Sequence, residues 1–446
     1  MRTPIVDFVK AYAEADTSRF HMPGHKGRPM LGCEPYDITE IKGADVLSDA
    51  EGVIAESEAY ASDLFGARSF YSTEGSSLCI KAMLALAAYE KKAEQRPLIL
   101  AARNVHKAFV YACALLDLRV AWLASEETEH LCVCRVSAEG VEKTLDAMEE
   151  IPAAVYLTSP DYLGNLADVE GIAKVCRARA IPLLVDNAHG AYLQFLSPSH
   201  HPIALGATMC CDSAHKTLPV LTGGAYLHLS KDANFDTRTV RSRLALFAST
   251  SPSYLILQSL DLCNQYLSMD YPARLKACIK RLDQVKQMLA ARGFVTEPTE
   301  PLKLVLHASQ FGYTGEELAE CLRQFAVEPE FADREYLVLM ATPETRESDF
   351  VRVEEAFGAL FPRKALCADF PTDALAAARE ACLSIREAVI SPSETVTVDR
   401  AIGRICASPT VSCPPAVPVA VSGERVTEHT VRLLQYYGIH SIEVVK

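Results

Sequence analysis

Between about residues 62 and 230, short apolar runs of strand length alternate with longer stretches of helical period. This is the pattern left by βαβ units whose mainly parallel sheet is buried on both faces. The runs Leu98–Ala102, Val120–Leu123, Ala153–Thr158, Pro182–Val185, Thr208–Cys211 and Ala225–Leu229 are the predicted strands. Ser76–Gln95 predicts a helix with Leu78, Met83, Leu84 and Leu86 on its apolar side and Lys91 and Lys92 near its end, where the dipole favours cations. Asp168–Ala180 predicts another, with an acidic N-cap. Near residue 270 the character changes to a charged helix over Arg274–Arg292, an apolar run over Leu302–Leu306, and helices over Thr314–Phe325 and Ala374–Ala388. Prolines then hold Cys413–Pro418 extended. The expected organisation is an N-terminal arm (1–18), an α/β large domain with a mainly parallel sheet (19–269) and a smaller α+β C-terminal part of one or more domains (270–446).

A chain of 446 residues has room for two or three domains, and 49% hydrophobic with 23% charged residues is ordinary for a globular protein. The formal charge of −13 offers little to a phosphate backbone, which argues against nucleic acid and makes a small cationic substrate easier to accommodate. Fifteen cysteines are an odd number without any CxxC pair, and neither Cys132 with Cys134 nor Cys210 with Cys211 has zinc or redox spacing. Cys79, Cys113, Cys176 and Cys263 sit among apolar neighbours, so they read as reduced core residues of a cytoplasmic protein. The N-terminus has no apolar signal core and no run of eighteen apolar residues follows, so no membrane segment is expected.

Lys216 follows a predicted strand among small polar residues, as a Schiff-base lysine would, although taken alone it reads as a surface lysine. Asp186 ends the strand before it, where open α/β sheets bind ligands. A carboxylate there suits the ring nitrogen of pyridoxal phosphate, and equally a helix cap or a metal ligand. Gly75, Ser76 and Ser77 open a helix, which makes an anion site or an ordinary N-cap. His106, just after a strand, could stack on a ring or be incidental. Together these four occur in the order phosphate loop, stacking residue, aspartate and lysine, each at a strand end of one sheet. One cofactor, pyridoxal phosphate, accounts for all of them.

Several segments resemble the Orn/Lys/Arg decarboxylases, pyridoxal phosphate enzymes of the aspartate-aminotransferase-like (fold type I) class, in the shorter branch without an N-terminal wing domain. They are Phe20-His21-Met22-Pro23-Gly24-His25-Lys26-Gly27, Arg103-Asn104-Val105-His106-Lys107, Ser159-Pro160-Asp161-Tyr162, Asp186-Asn187-Ala188-His189-Gly190 and Ser213-Ala214-His215-Lys216-Thr217-Leu218-Pro219. The resemblance implies that Lys216 holds the cofactor as a Schiff base, Asp186 pairs with the pyridine nitrogen and His106 stacks on the ring. It also implies that Ser76, Ser77, Ser213 and His215 hold the phosphate and that His189 lies near the ring hydroxyl. It further implies a homodimer or larger assembly with its site at the subunit interface, where Thr250 or Ser251 of a second copy reaches the phosphate and the His21–His25 segment closes the cleft. Glu74 replaces the family's usual asparagine, and the C-terminal Pro-Pro and Gly-Glu motifs are altered.

The expected reaction is decarboxylation of lysine, ornithine or arginine, with His25 and Glu424 as candidate substrate contacts. A metal at His21 and His25 is not expected, because Pro23 and Gly24 between them oppose a regular helix. The alternatives are an aminotransferase or other lyase on the same fold, with Arg346 as the carboxylate clamp to suspect, and a catalytically idle protein that keeps the fold.

Overall fold

The apolar runs assemble into one seven-stranded sheet in the computed structural model, which describes residues 1–89, 96–125, 131–366, 370–377, 379–408 and 417–446. The strands are β1 (Arg68–Ser72), β2 (Leu98–Ala101), β3 (Arg119–Trp122), β4 (Ala154–Thr158), β5 (Leu183–Asp186), β6 (Met209–Asp212) and β7 (Ala225–Leu229), in spatial order β1-β7-β6-β5-β4-β2-β3. β3, β2, β4, β5 and β6 pair in parallel, while β7 is antiparallel to β6 and β1 to β7. The fold is therefore α/β with a mainly parallel sheet, as the pattern predicts. β1 has no counterpart in the sequence reading. Its polar residues find tertiary partners: Ser69 Oγ lies 2.8 Å from His228 Nδ1 on β7, and Arg68 donates to the carbonyls of Ala233 and Phe235.

Nine helices accompany this sheet in chain order among the described residues: α1 (Pro4–Glu14), α2 (Val53–Phe65), α3 (Gly75–Ala87), α4 (Lys107–Leu116), α5 (Ala138–Ala147), α6 (Val169–Ala178), α7 (Ala214–Thr217), α8 (Thr237–Ala245) and α9 (Tyr254–Leu267). Alternate strand residues feed two cores. Tyr156, Met209 and Cys211 join Met83 of α3, Phe109 of α4 and Val240 of α8, whereas Val155, Leu157 and Cys210 join Val141 of α5 and Ile172 of α6. Adjacent Cys210 and Cys211 thus fall on opposite faces, and the thirteen cysteines among the described residues are all unpaired. The helix predicted over 76–95 is α3; residues 90–95, with Lys91 and Lys92, lie outside the described residues. The acidic cap of α6 forms, Asp168 Oδ1 accepting from Gly171 N at 2.9 Å.

Residues 1–18, read as an arm, contain α1, whose Ile5 and Val9 are fully buried. Asp261 of α9 secures it: Oδ2 accepts from Ile5 N and Val6 N at 3.0 Å each, and Oδ1 accepts from Ser57 of α2 at 2.6 Å.

Beyond residue 270 come α10 (Tyr271–Ala291), β8 (Lys303–His307), α11 (Gly315–Arg323), β9 (Phe331–Ala332), β10 (Tyr336–Met340) and α12 (Glu347–Gly358), the strands forming an antiparallel sheet in order β8-β10-β9. The last segment contains α13 (Thr372–Ala376), α14 (Ile385–Ile390), β11 (Ser393–Thr397), α15 (Glu428–Tyr436) and β12 (Ser441–Val445), β11 and β12 pairing antiparallel. The single helix predicted over Ala374–Ala388 is not formed. Ala381 instead makes an antiparallel bridge to Glu424, Cys382 and Leu383 donate to the Gly423 carbonyl, and Ser384 with Glu387 builds a capping box that starts α14 afresh. Of the Pro-rich Cys413–Pro418, residues 413–416 lie outside the described residues. Among the described residues no helix is long and apolar enough to cross a membrane.

Candidate active site

The C-terminal ends of the parallel strands converge on one cavity of about 140 Å³. Its walls include Gly75, Ser76, Ser77, His106, Asp186, His189, Ser213, His215 and Lys216, nine residues singled out from the sequence. Each arrives by a short route: β1 leads into the start of α3, β2 into the His106 loop, β5 ends on Asp186, and β6 runs through Ser213 into the single turn of α7 that carries His215 and Lys216. Thr158, the last residue of β4, and Pro160 and Tyr162 just after it, none of which received a role from the sequence, line the same space. Larger open grooves of about 560 and 590 Å³ lie elsewhere and contain none of these nine groups.

Lys216 Nζ lies 3.0 Å from His189 Nε2. Burial lowers the lysine pKa, with the charges of Asp186 and Glu330 opposing the shift. Burial also pushes His189 well below the usual imidazole value, helped by Lys303 and Lys216, so its ring is neutral. His106 is lowered by burial as well; it is the N-cap of α4, its Nδ1 accepting from Ala108 N at 3.2 Å, which places the proton of the neutral ring on Nε2. Asp186 is 3% exposed, and its carboxylate accepts from Tyr156 Oη at 3.4 Å and Ala188 N at 3.3 Å.

At the α3 end of the cavity, Ser213 Oγ donates to Ser76 Oγ at 2.7 Å. Gly75 begins α3 with φ of +71°, a left-handed conformation that favours glycine. The N-cap residue Glu74 makes no capping bond with its side chain; its carboxylate instead accepts from Ser249 N at 2.6 Å. The thirteen-residue α3 therefore presents its positive end and two serine hydroxyls to the cavity.

These groups fit pyridoxal phosphate. The cavity offers an anion-binding end, a buried carboxylate, a lysine and three imidazoles, and two buried polar atoms in its wall, Thr158 Oγ1 and His189 Nδ1, have no hydrogen-bond partner among the described residues. A polar ligand seated here would satisfy them.

Five sequence candidates lie outside the cavity. Thr250 and Ser251 are exposed. His25 faces Asp37, with Nε2 3.3 Å from Oδ2. Glu424 is not free to receive a substrate cation: Arg103 grips it bidentately at 2.8 and 2.7 Å, and Val421 N donates to it at 2.9 Å. Arg346 is exposed and paired with Asp349.

Two family models match the chain: Orn/Lys/Arg decarboxylase, major domain, over residues 3–307, and Orn/Lys/Arg decarboxylase, C-terminal domain, over residues 364–442. The uncharacterized protein YaaO of Bacillus subtilis is 29% identical over 466 residues, covering 97% of this chain and 94% of that protein. An arginine decarboxylase of Halalkalibacterium halodurans is 26% identical over 462 residues, covering 96% and 91%. The crystal structure of the Francisella novicida lysine decarboxylase LdcF superposes with a TM-score of 0.79 at 16% identity, covering all of this chain and 81% of that one.

Proposed function

Since the chain belongs to the Orn/Lys/Arg decarboxylase family, we propose that the cavity at the end of the main sheet binds pyridoxal phosphate and decarboxylates lysine, ornithine or arginine to the corresponding amine. The observation that carries the reading is the pair Lys216 and His189, 3.0 Å apart, in a cavity that also holds Asp186 and the start of α3. When bound, the cofactor supplies an aldehyde for amine attachment and a protonated ring that accepts the electron pair left by departing CO2.

The residues divide the remaining work. Lys216, its pKa lowered by burial, supplies an amine more readily uncharged than a solvated lysine and so fit for covalent attachment. Asp186 holds the proton on the pyridine nitrogen. Ser76, Ser77, Ser213, His215 and the α3 dipole receive the phosphate. His106 covers the ring. Neutral His189 holds Nε2 3.0 Å from Lys216 Nζ, so a proton can be held between the two and delivered to Cα once CO2 has gone. No arginine stands among the described residues of the cavity wall, which leaves the α-carboxylate unclamped in the ground state, as decarboxylation requires. With Arg346 exposed and paired elsewhere, the transaminase alternative lacks the clamp suggested for it.

Phe20, Met30 and Leu31 are 98%, 87% and 90% exposed, which supports an assembly in which a second copy covers this segment. Incubating the protein with lysine, ornithine and arginine and measuring CO2 beside keto acid tests the reaction. CO2 with amine is expected, and keto acid without CO2 would overturn the reading. The visible absorption of the purified protein should change in Lys216→Ala; identical spectra would mean that Lys216 does not hold the cofactor.

A further inference from the structure

A decarboxylase of a basic amino acid needs an acceptor for the cationic end of its substrate, and the acids around the cavity are mostly occupied. Asp186 lies within it, Glu424 is bound by Arg103, and Asp161 accepts from the side chain and backbone of Asn165 at 2.8 Å each. Glu300 is fully buried, takes the Tyr192 hydroxyl and Leu302 N, and lies 3.9 Å from Lys303 Nζ.

Glu330 is different. It lines the groove of about 560 Å³ rather than the cavity itself, is exposed, stands immediately before β9, and is fixed there by its own amide, which donates to the Val338 carbonyl at 3.0 Å. One carboxylate oxygen accepts from the Tyr162 hydroxyl at 2.8 Å. Tyr162 is a wall of the cavity, and its ring meets the His189 ring edge-on with centroids 5.3 Å apart. A continuous chain of contacts therefore runs from Lys216 through His189 and Tyr162 to the Glu330 carboxylate. Among the described residues Glu330 has no lysine, arginine or histidine as an ion-pair partner, and its charge acts on Lys216. Tyr162 occupies one oxygen and leaves the remaining acceptor positions open.

We propose that Glu330, oriented by Tyr162, receives the cationic side-chain head of the amino-acid substrate. The proposal rests on the decarboxylase reading for the nature of that substrate. An ammonium or guanidinium entering the cavity leaves water and approaches Lys216 and the fully buried Lys303, which lies 5.7 Å from the Tyr162 ring. An exposed carboxylate at this position offsets that repulsion and replaces lost hydration with a charge-assisted hydrogen bond. Because the head group does not react, its contact acts on binding more than on the chemical step.

The test uses the holoenzyme of the wild type, Glu330→Gln, Glu330→Asp and Tyr162→Phe. CO2 release is measured with arginine, lysine and ornithine, and agmatine binding is measured by calorimetry. The expected result for Glu330→Gln is a KM raised roughly 10- to 100-fold, with a smaller change in kcat, and agmatine affinity weakened to a similar extent. Glu330→Asp should recover part of the loss and Tyr162→Phe should show a lesser form of it. Wild-type KM and agmatine affinity in Glu330→Gln would overturn the proposal, as would a loss of kcat with KM unchanged. If the wild type releases CO2 from none of the three amino acids, the decarboxylase reading falls, while the agmatine titration still decides whether Glu330 receives a cation.

Discussion

His189 shows how one side chain couples the site to the stability of the fold. Burial holds its pKa well below the ordinary value near 6.5, so on acidification through about pH 6.5 the unfolded chain takes up a proton that the folded chain resists. The folded state consequently loses stability as pH falls through that range. His106 and His228, also lowered by burial, act with the same sign. Denaturant midpoints at pH 7 and pH 5.5 should show a smaller drop in His189→Gln than in the wild type, and equal drops would remove His189 from this account. At this scale the sequence is most legible where a candidate residue sits at or just beyond a strand end: the apolar run of β5 stops at Asp186, and Lys216 follows the end of β6 by four positions. Glu330 and Tyr162 are not, because they meet only when β9 is brought beside the loop after β4, a contact across 168 positions that no local pattern carries. Glu424 misleads for the same reason, its partner Arg103 lying far away in the chain.

Among elements, α1 depends on a residue of α9. Asp261 is fully buried and accepts from two amides of the first turn of α1 as well as from Ser57. Asp261→Ala leaves three buried donors without that acceptor and should cost about 2–4 kcal/mol, read as a lowered denaturant midpoint. A midpoint within experimental error of the wild type would show that α1 is held by Ile5 and Val9 packing alone. The elements legible in the sequence are those whose own residues dictate them, namely the buried parallel strands and α6 with its Asp168 cap. β1 was not, because a strand reading Arg-Ser-Phe-Tyr-Ser owes its place to partners on β7 and in the following loop. The alanine-rich stretch from 374 to 381 favours helix by propensity, yet the backbone of Gly423 claims Cys382 and Leu383 and a strand-like bridge replaces the helix.

For the molecule as a whole, the Arg103–Glu424 pair joins the C-terminal segment to the loop that carries His106. The side chains are only 11% and 8% exposed, and the guanidinium also lies over the Trp122 ring at 5.2 Å. Removing one partner strands the other charge, so Glu424→Gln should destabilise the fold by about 3–5 kcal/mol. The double replacement Arg103→Met with Glu424→Met should cost less than the two single replacements added together. Chemical denaturation of the four proteins checks this, and strict additivity would mean that the two side chains do not act as a pair.

The same pair sets an order in time. Its members are 321 positions apart, so at 5–20 residues per second a growing chain extends Arg103 roughly 15–60 s before Glu424 exists. Through that interval the guanidinium has no carboxylate to enter the fold with, and the segment that presents His106 lacks its far tether. A newborn molecule can lay down most of its parallel strands early, but the loop that presents His106 gains the Glu424 carboxylate only after the 320 intervening residues have been made.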